Sequence, residues 1–200
     1  MKKNNYFINF LRSYYKIFFK VIFFEIFYSI QFKEFLPKIK IQNSSKRTDT
    51  VPCIYYFLHK ISKFLKKNKI KSIVDIGSGY GRVLNFISSK NNIKCYGIEY
   101  DKDVYKYALK AKKKTVKLYC ANALTFNLKK LNSNCFVLVD PFKKEKDIKK
   151  FLSKIKKLHL MKKKYIILVN NRKEILFRNL KLIHSINGSK TRNLKFYEII

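Results

Sequence analysis

The chain reads as an α/β protein, a three-layer sandwich in which a mostly parallel sheet is covered by helices on both faces. Three observations predict this. From residue 71 onward, short apolar runs rich in Ile and Val alternate with segments whose apolar residues recur at helical spacing. The tail, LKLIHSINGSKTRNLKFYEII, reads as two strands joined around Asn187-Gly188, which gives the sheet an antiparallel edge. Between the first strand and its helix stand three glycines at alternate positions, in IVDIGSGYGR.

The regular part opens with IYYFLHKISKFLKK, an amphipathic helix. The pattern then predicts a strand at 71–76, a helix at 80–90, a strand at 94–99, a helix at 102–113 and a strand at 115–120. A short helical or loop stretch leads to a strand at 135–140, a helix at 144–159, a strand at 164–170 and a helix at 172–179. Strands separated by a helix pair in parallel, because only a crossover connection can bring the chain back. No internal repeat is visible.

Ahead of this lies an aromatic-rich segment, residues 1–36, followed by a Pro- and polar-rich stretch, 37–52, that reads as a linker to a domain at 53–200. Between Asn9 and Lys20 the polar residues Asn9, Arg12, Ser13, Lys16 and Lys20 share one helical stripe. Arg12, Lys16, Lys20 and Glu25 interrupt any run long enough to span a bilayer, and no small-residue cleavage site follows. Two readings stay open: a basic amphipathic helix lying in a membrane interface, or a helix packed on the domain.

Forty-six basic side chains against 12 acidic ones give a net charge of +34. Such a balance favours polyanions, RNA or an anionic membrane, at least weakly. Only six of the cations are Arg, whereas bidentate phosphate and base recognition favours Arg over Lys. Lys, Asn, Ile, Phe and Tyr abound while Ala is scarce, so compositional drift accounts for the charge equally well. Cys53, Cys95, Cys120 and Cys135 form no CxxC pair and no metal-like spacing with the three histidines. Reduced core thiols, no metal and a cytoplasmic location, in part at the inner face of the membrane, are the expectation.

The glycine loop is the first chemical signal. Asp75, Gly77, Gly79 and Gly81 follow the first strand, where doubly wound sheets bind ligands. Glycine there permits positive φ and close approach of a ligand to backbone. The spacing GxGxG differs from the GxGxxG of dinucleotide binders, which argues against a nicotinamide oxidoreductase. Glu99 closes the second strand, placed to accept hydrogen bonds from two ribose hydroxyls, and Tyr100 beside it can cover an adenine. Asn122 follows the third strand, and Asp140-Pro141-Phe142 the fourth.

With these motifs, residues 50–200 resemble class I S-adenosylmethionine-dependent methyltransferases, most closely small bacterial members with an NPF-type motif. VDIGSGYGR is similar to motif I, GIEYD to the acidic motif of strand two, CANAL to the adenine-contact motif and LVDPF to motif IV. The resemblance implies a seven-stranded sheet of order 3-2-1-4-5-7-6 and S-adenosylmethionine as cofactor. It implies that Asp75, Gly77, Ser78 and Gly79 hold the methionine end, Glu99 the ribose, and Tyr100, Asn122 and Ala123 the adenine. Asn122 stands where the family usually has Asp, so its amide oxygen accepts without charge. Asp140 would orient or deprotonate the acceptor, or merely cap its turn, and Pro141, Phe142, Asn170 and Asn171 would border the acceptor pocket. The acceptor is an N or O nucleophile that the sequence does not name; RNA, protein lysine and a non-catalytic S-adenosylmethionine-binding or membrane-surface scaffold stay open.

Overall fold

The computed structural model describes residues 8–34, 38–41, 49–158, 163–170 and 180–200. Its strands are β1 (Ser72–Ile76), β2 (Lys94–Glu99), β3 (Val116–Cys120), β4 (Cys135–Val139), β5 (Lys164–Val169), β6 (Leu180–Asn187) and β7 (Asn193–Ile199). They form a single seven-stranded sheet of order 3-2-1-4-5-7-6. The first five pair in parallel, and β7 runs antiparallel to both β5 and β6. The expected fold class and strand order are therefore the observed ones.

The α-helices that lie wholly within the described residues are α1 (Phe18–Phe32), α2 (Tyr55–Lys67), α3 (Arg82–Lys90), α4 (Lys102–Ala111) and α5 (Glu145–Lys156). Alternation along each strand divides the core into two layers. Ile73, Cys135, Val137 and Ile167 face a cluster that includes Leu58, Ile61, Leu84 and Ile87 of α2 and α3. Val74, Phe136, Leu138 and Ile166 face the opposite cluster, with Ile148, Phe151 and Ile155 of α5. Both faces of the central strands are covered, which is why β1, SIVDI, is buried at every position and β-branched at three of its five residues.

Helix ends follow local chemistry. Asp101 caps α4 by accepting the N–H groups of Asp103 (3.0 Å) and Val104 (3.2 Å). In α5, Glu145 and Asp147 occupy the first turn and Lys154 and Lys156 the last, matching the helix dipole. The α2 N-terminus has no side-chain cap of its own. Glu25, thirty residues earlier, accepts the Tyr55 N–H and supplies one.

The aromatic N-terminal segment packs on the domain. Val21, Glu25, Tyr28 and Ser29 are the buried face of α1, and Val21 and Tyr28 join the same core cluster as α2 and α3. The segment is not one continuous helix: a turn and a short 3₁₀ piece, Tyr15–Ile17, precede α1. Tertiary contacts pull the chain out of helical register there. The Lys16 N–H donates to the Gly188 carbonyl at 3.0 Å, and Arg192 Nε donates to Ser13 Oγ at 2.8 Å. A Cβ on Gly188 would lie 2.7 Å from the Tyr14 ring, so the close approach requires glycine.

Among the described residues no helix is long and apolar enough to cross a membrane. Cys53, Cys95 and Cys135 are buried and Cys120 is exposed, all as free thiols. The helix expected at 172–179 lies outside the described residues.

Candidate functional site

Strand order reverses between β1 and β4, and the chain leaves both strands toward the crevice this opens. After β1 it enters the glycine loop, where Gly77, Gly79 and Gly81 have φ of 68°, 54° and 84°. A side chain at any of these positions would be strained. At Gly77 an added Cβ would also lie 2.8 Å from Pro141 Cβ, so the motif after β4 is seated directly on the loop. Asp140 has φ 44°, a left-handed conformation that short polar residues tolerate and that turns the chain into this contact.

A cavity of about 880 Å³ opens at this edge of the sheet. It takes in Asp75, Gly77, Ser78, Gly79, Glu99, Tyr100, Asn122, Ala123, Pro141 and Phe142, so ten of the residues singled out in the sequence converge on one space. Glu99 is nearly buried. Its Oε2 accepts the Gly79 N–H and its Oε1 accepts the Asp101 N–H, each at 2.8 Å. The carboxylate thereby ties the tip of β2 to the glycine loop. Burial pushes its pKa up, while these backbone N–H groups oppose that shift.

Asp75 is fully buried, and among the described residues neither of its carboxylate oxygens nor Ser78 Oγ has a hydrogen-bond partner. Burial raises the Asp75 pKa well above the ordinary carboxylate range, and the negative Glu99 nearby raises it further. A buried carboxyl with unused acceptors at the floor of a ligand-sized cavity is costly to the apo protein unless a donor arrives from the cavity.

Other residues behave differently from the sequence expectation. Asn122 is exposed beside the cavity, and its Oδ1 accepts the Leu124 N–H at 2.9 Å, so part of its acceptor capacity already holds the turn. Asp140 is half-buried and is not among the residues that face the cavity; its neighbours Val139, Pro141 and Phe142 are. Asn170 is withdrawn from the pocket. Its side chain is buried against Tyr14, donating from Nδ2 at 2.8 Å and accepting at Oδ1 at 3.0 Å. The N-terminal segment thus takes the amide that had been expected to meet the acceptor. Asn171 lies outside the described residues. His59 bonds the Tyr28 hydroxyl and His184 stacks on Phe196, so neither joins the site.

The N-terminal region adds residues that the sequence did not mark. Arg82, the residue after the third loop glycine, is buried and reaches Glu25 (2.8 Å), Glu34 (3.1 Å) and the Cys53 carbonyl (2.9 Å). Its guanidinium lies 3.8 Å from the centre of the Tyr55 ring. Burial alone would lower its pKa, but Glu25 and Glu34 overcome this and hold it charged. Glu34 also accepts the Tyr55 hydroxyl at 2.7 Å and faces the cavity. The stretch read as a linker contributes too: Lys40 pairs with Thr50 in an antiparallel bridge and with Asp101 at 2.8 Å. The Thr50 methyl group would lie 2.9 Å from a Cβ on Gly79. One signal for these residues was present: Glu25 and Glu34 are the only acids in the first 48 positions.

No family model matches the chain, and no curated protein matches it in sequence. Solved structures do match. The Escherichia coli protein yhhF, assigned as a methyltransferase, superposes with a TM-score of 0.60 at 14% identity, over 74% of this chain and 88% of that one. An RNA methyltransferase from Salinibacter ruber, solved with S-adenosyl-L-homocysteine, gives 0.57 at 15% identity over 74% and 94%. A SAM-dependent methyltransferase from Aquifex aeolicus gives 0.52 at 13% identity over 72% and 97%. The sheet order, the glycine loop at its switch point and these superpositions together establish that the chain has the class I methyltransferase fold.

Proposed function

We propose that the protein binds S-adenosylmethionine in this cavity and transfers its methyl group to a nitrogen or oxygen nucleophile. One observation carries the reading: Glu99 and the unpartnered Asp75 face one cavity across a loop of three positive-φ glycines. The residues present fit the cofactor. Asp75 and Ser78 have unused polar atoms where an amino-acid end would supply donors. Glu99, which already accepts the Gly79, Asp101 and Tyr100 N–H groups, keeps acceptor capacity for a ribose hydroxyl, and exposed Tyr100 offers a ring beside it. Gly77 and Gly79 line the cavity in a conformation that glycine adopts without strain, with their N–H groups already held by the Ile98 carbonyl and the Glu99 carboxylate.

When bound, the sulfonium supplies an electrophilic methyl group, so no further activation of that carbon is required of the protein. What the chain must do is position the nucleophile and keep its lone pair free. Pro141, seated on the glycine loop, and Phe142 beside it line the cavity. Glu34 and Asp147 add carboxylates to the cavity. Glu34, already paired with Arg82, is suited to hold a donor and poorly suited to remove a proton. Asp140 stays the candidate to orient the acceptor, from its turn between two cavity residues.

Methyl-tritiated cofactor offered with cell fractions, with and without ribonuclease, tests the reading. Label should pass into one fraction with the wild type and not with Gly77→Val. Ribonuclease-sensitive counts would name RNA as acceptor, and counts in protein would name a side-chain amine. Tight cofactor binding with no transfer into any fraction would overturn the enzymatic reading in favour of a binding protein.

A further inference from the structure

Among the described residues, nothing covers the outer face of α1. Phe19, Phe23, Ile26, Phe27 and Ile30 are more than half exposed, Phe19 at 87%. At 100° per residue these five side chains fall within one arc of about 100°, directly opposite buried Val21, Glu25 and Tyr28. No polar residue interrupts the arc. Phe23 and Phe27 stack with ring centroids 6.3 Å apart, so the surface is continuous. Tyr15 and Ile8, in the segment before α1, are exposed as well. An apolar face of this extent on a charged protein marks an interaction surface.

The charges beside it select the partner. Exposed Lys20 borders the arc within α1, and exposed Arg12, Lys16 and Lys33 stand on the segments at its two ends. The only acids in the segment, Glu25 and Glu34, are turned inward onto Arg82. A second copy docked through this face by two-fold symmetry would bring like cations together, in a chain already at +34. An anionic lipid surface offers the opposite sign to the cations and an apolar phase to the rings. At 15 residues α1 is about 22 Å long, enough to lie in an interface and too short to cross one.

We infer that α1 docks the protein on an anionic bilayer, its Phe19–Ile30 face in the headgroup–acyl boundary and its cations on lipid phosphates. The buried Glu25–Arg82 pair fixes the helix to the domain, and Phe32, Lys33 and Glu34 at its end form part of the cavity wall. The docked helix and the candidate cofactor site therefore move as one body. This inference stands on the exposed face alone and is independent of the methyl-transfer reading.

Flotation of the full-length protein with vesicles tests it. One set is pure phosphatidylcholine, the other contains 30% phosphatidylglycerol. The wild type should float with the anionic vesicles, at least about tenfold more than with the neutral ones, and release as salt rises. Phe19→Gln/Phe23→Gln/Phe27→Gln should lose about tenfold or more of that binding. Its far-ultraviolet spectrum should be unchanged and it should still unfold cooperatively, because all three rings are more than half exposed. Lys16→Glu/Lys20→Glu, which leaves the apolar face whole, should lose anionic selectivity. Wild-type binding retained by the triple Gln variant would overturn the proposal, as would absence of flotation at low salt. A concentration-dependent dimer that the triple variant abolishes, without vesicle binding, would replace the bilayer by a second copy.

Discussion

The Glu99 carboxylate accepts the Gly79 backbone N–H at 2.8 Å, joining the end of β2 to the middle of the glycine loop. Its other oxygen holds the Asp101 N–H, at the cap of α4. One side chain therefore both shapes the loop and presents acceptors to the cavity. In Glu99→Ala the Gly79 and Asp101 amides lose a charge-assisted partner, about 1.5–3 kcal/mol for each such bond. Hydrogen exchange at these two amides should accelerate about tenfold or more, with the exchange of β4 and β5 unchanged. Uniform acceleration across the sheet would contradict a local role.

Gly77 is constrained twice, by φ 68° and by Pro141 Cβ 2.8 Å from where its own Cβ would stand. Gly77→Ala should cost about 1–2 kcal/mol from the backbone conformation, with displacement of Pro141 adding to it. Thermal unfolding should register this loss. Stabilisation by S-adenosylhomocysteine should also fall, because Pro141 and the loop wall the same cavity. An unchanged ligand-induced shift would show that the loop does not touch ligand.

Asp75 gives the site a pH dependence of definite sign. Its pKa in the folded protein is raised by burial and then by Glu99, whereas in the unfolded chain it is near about 3.9. Between these values the native state keeps a proton that the unfolded chain has lost. Stability contributed by the neutral carboxyl is thus complete below the unfolded value and declines as pH rises through the folded one. Glu99, also raised, acts in the same direction. Urea unfolding from pH 5 to 8 should show this decline in the wild type and a flatter curve in Asp75→Asn. A cationic ligand group beside Asp75 favours the ionised form, so binding should release a proton and tighten as pH rises. Equal pH curves for wild type and Asp75→Asn would refute the assignment.

The Glu25–Arg82 pair, each side chain 7% exposed, fastens the N-terminal helix to the residue following the glycine loop. Glu25→Ala leaves the guanidinium with one buried partner fewer and uncaps α2, and should destabilise by about 3–5 kcal/mol. Glu25→Gln keeps an acceptor for Tyr55 and should lose less. If Glu25→Ala unfolds at the wild-type denaturant concentration, α1 is not an integral part of the domain.

The sheet was legible because its strands are fully buried: SIVDI and CFVLV carry their own boundaries, and expected and observed limits agree within a residue. So was the cavity, because Asp75, Glu99 and Pro141 each stand at a strand end, and strand ends of a doubly wound sheet share one edge. Asn170 also follows a strand, yet Tyr14, 156 residues away, claims its side chain. Periodicity reports which face a residue occupies and not which partner arrives there. The break before α1 and the Arg82 cluster were hidden for the same reason, since Gly188, Glu25 and Glu34 act on residues distant in sequence. Helix ends were overrun by a few residues, at 111 rather than 113, where the run Lys112–Lys114 keeps helical propensity with little burial, and at 156 rather than 159.

Calorimetry with S-adenosylhomocysteine tests the cofactor site most directly. The wild type should bind one equivalent, and Glu99→Gln should bind about 10–100-fold more weakly, since a hydrogen bond to a charged acceptor contributes about 1.5–3 kcal/mol. No binding by a folded wild type, or equal affinity in Glu99→Gln, would contradict the assignment of this cavity.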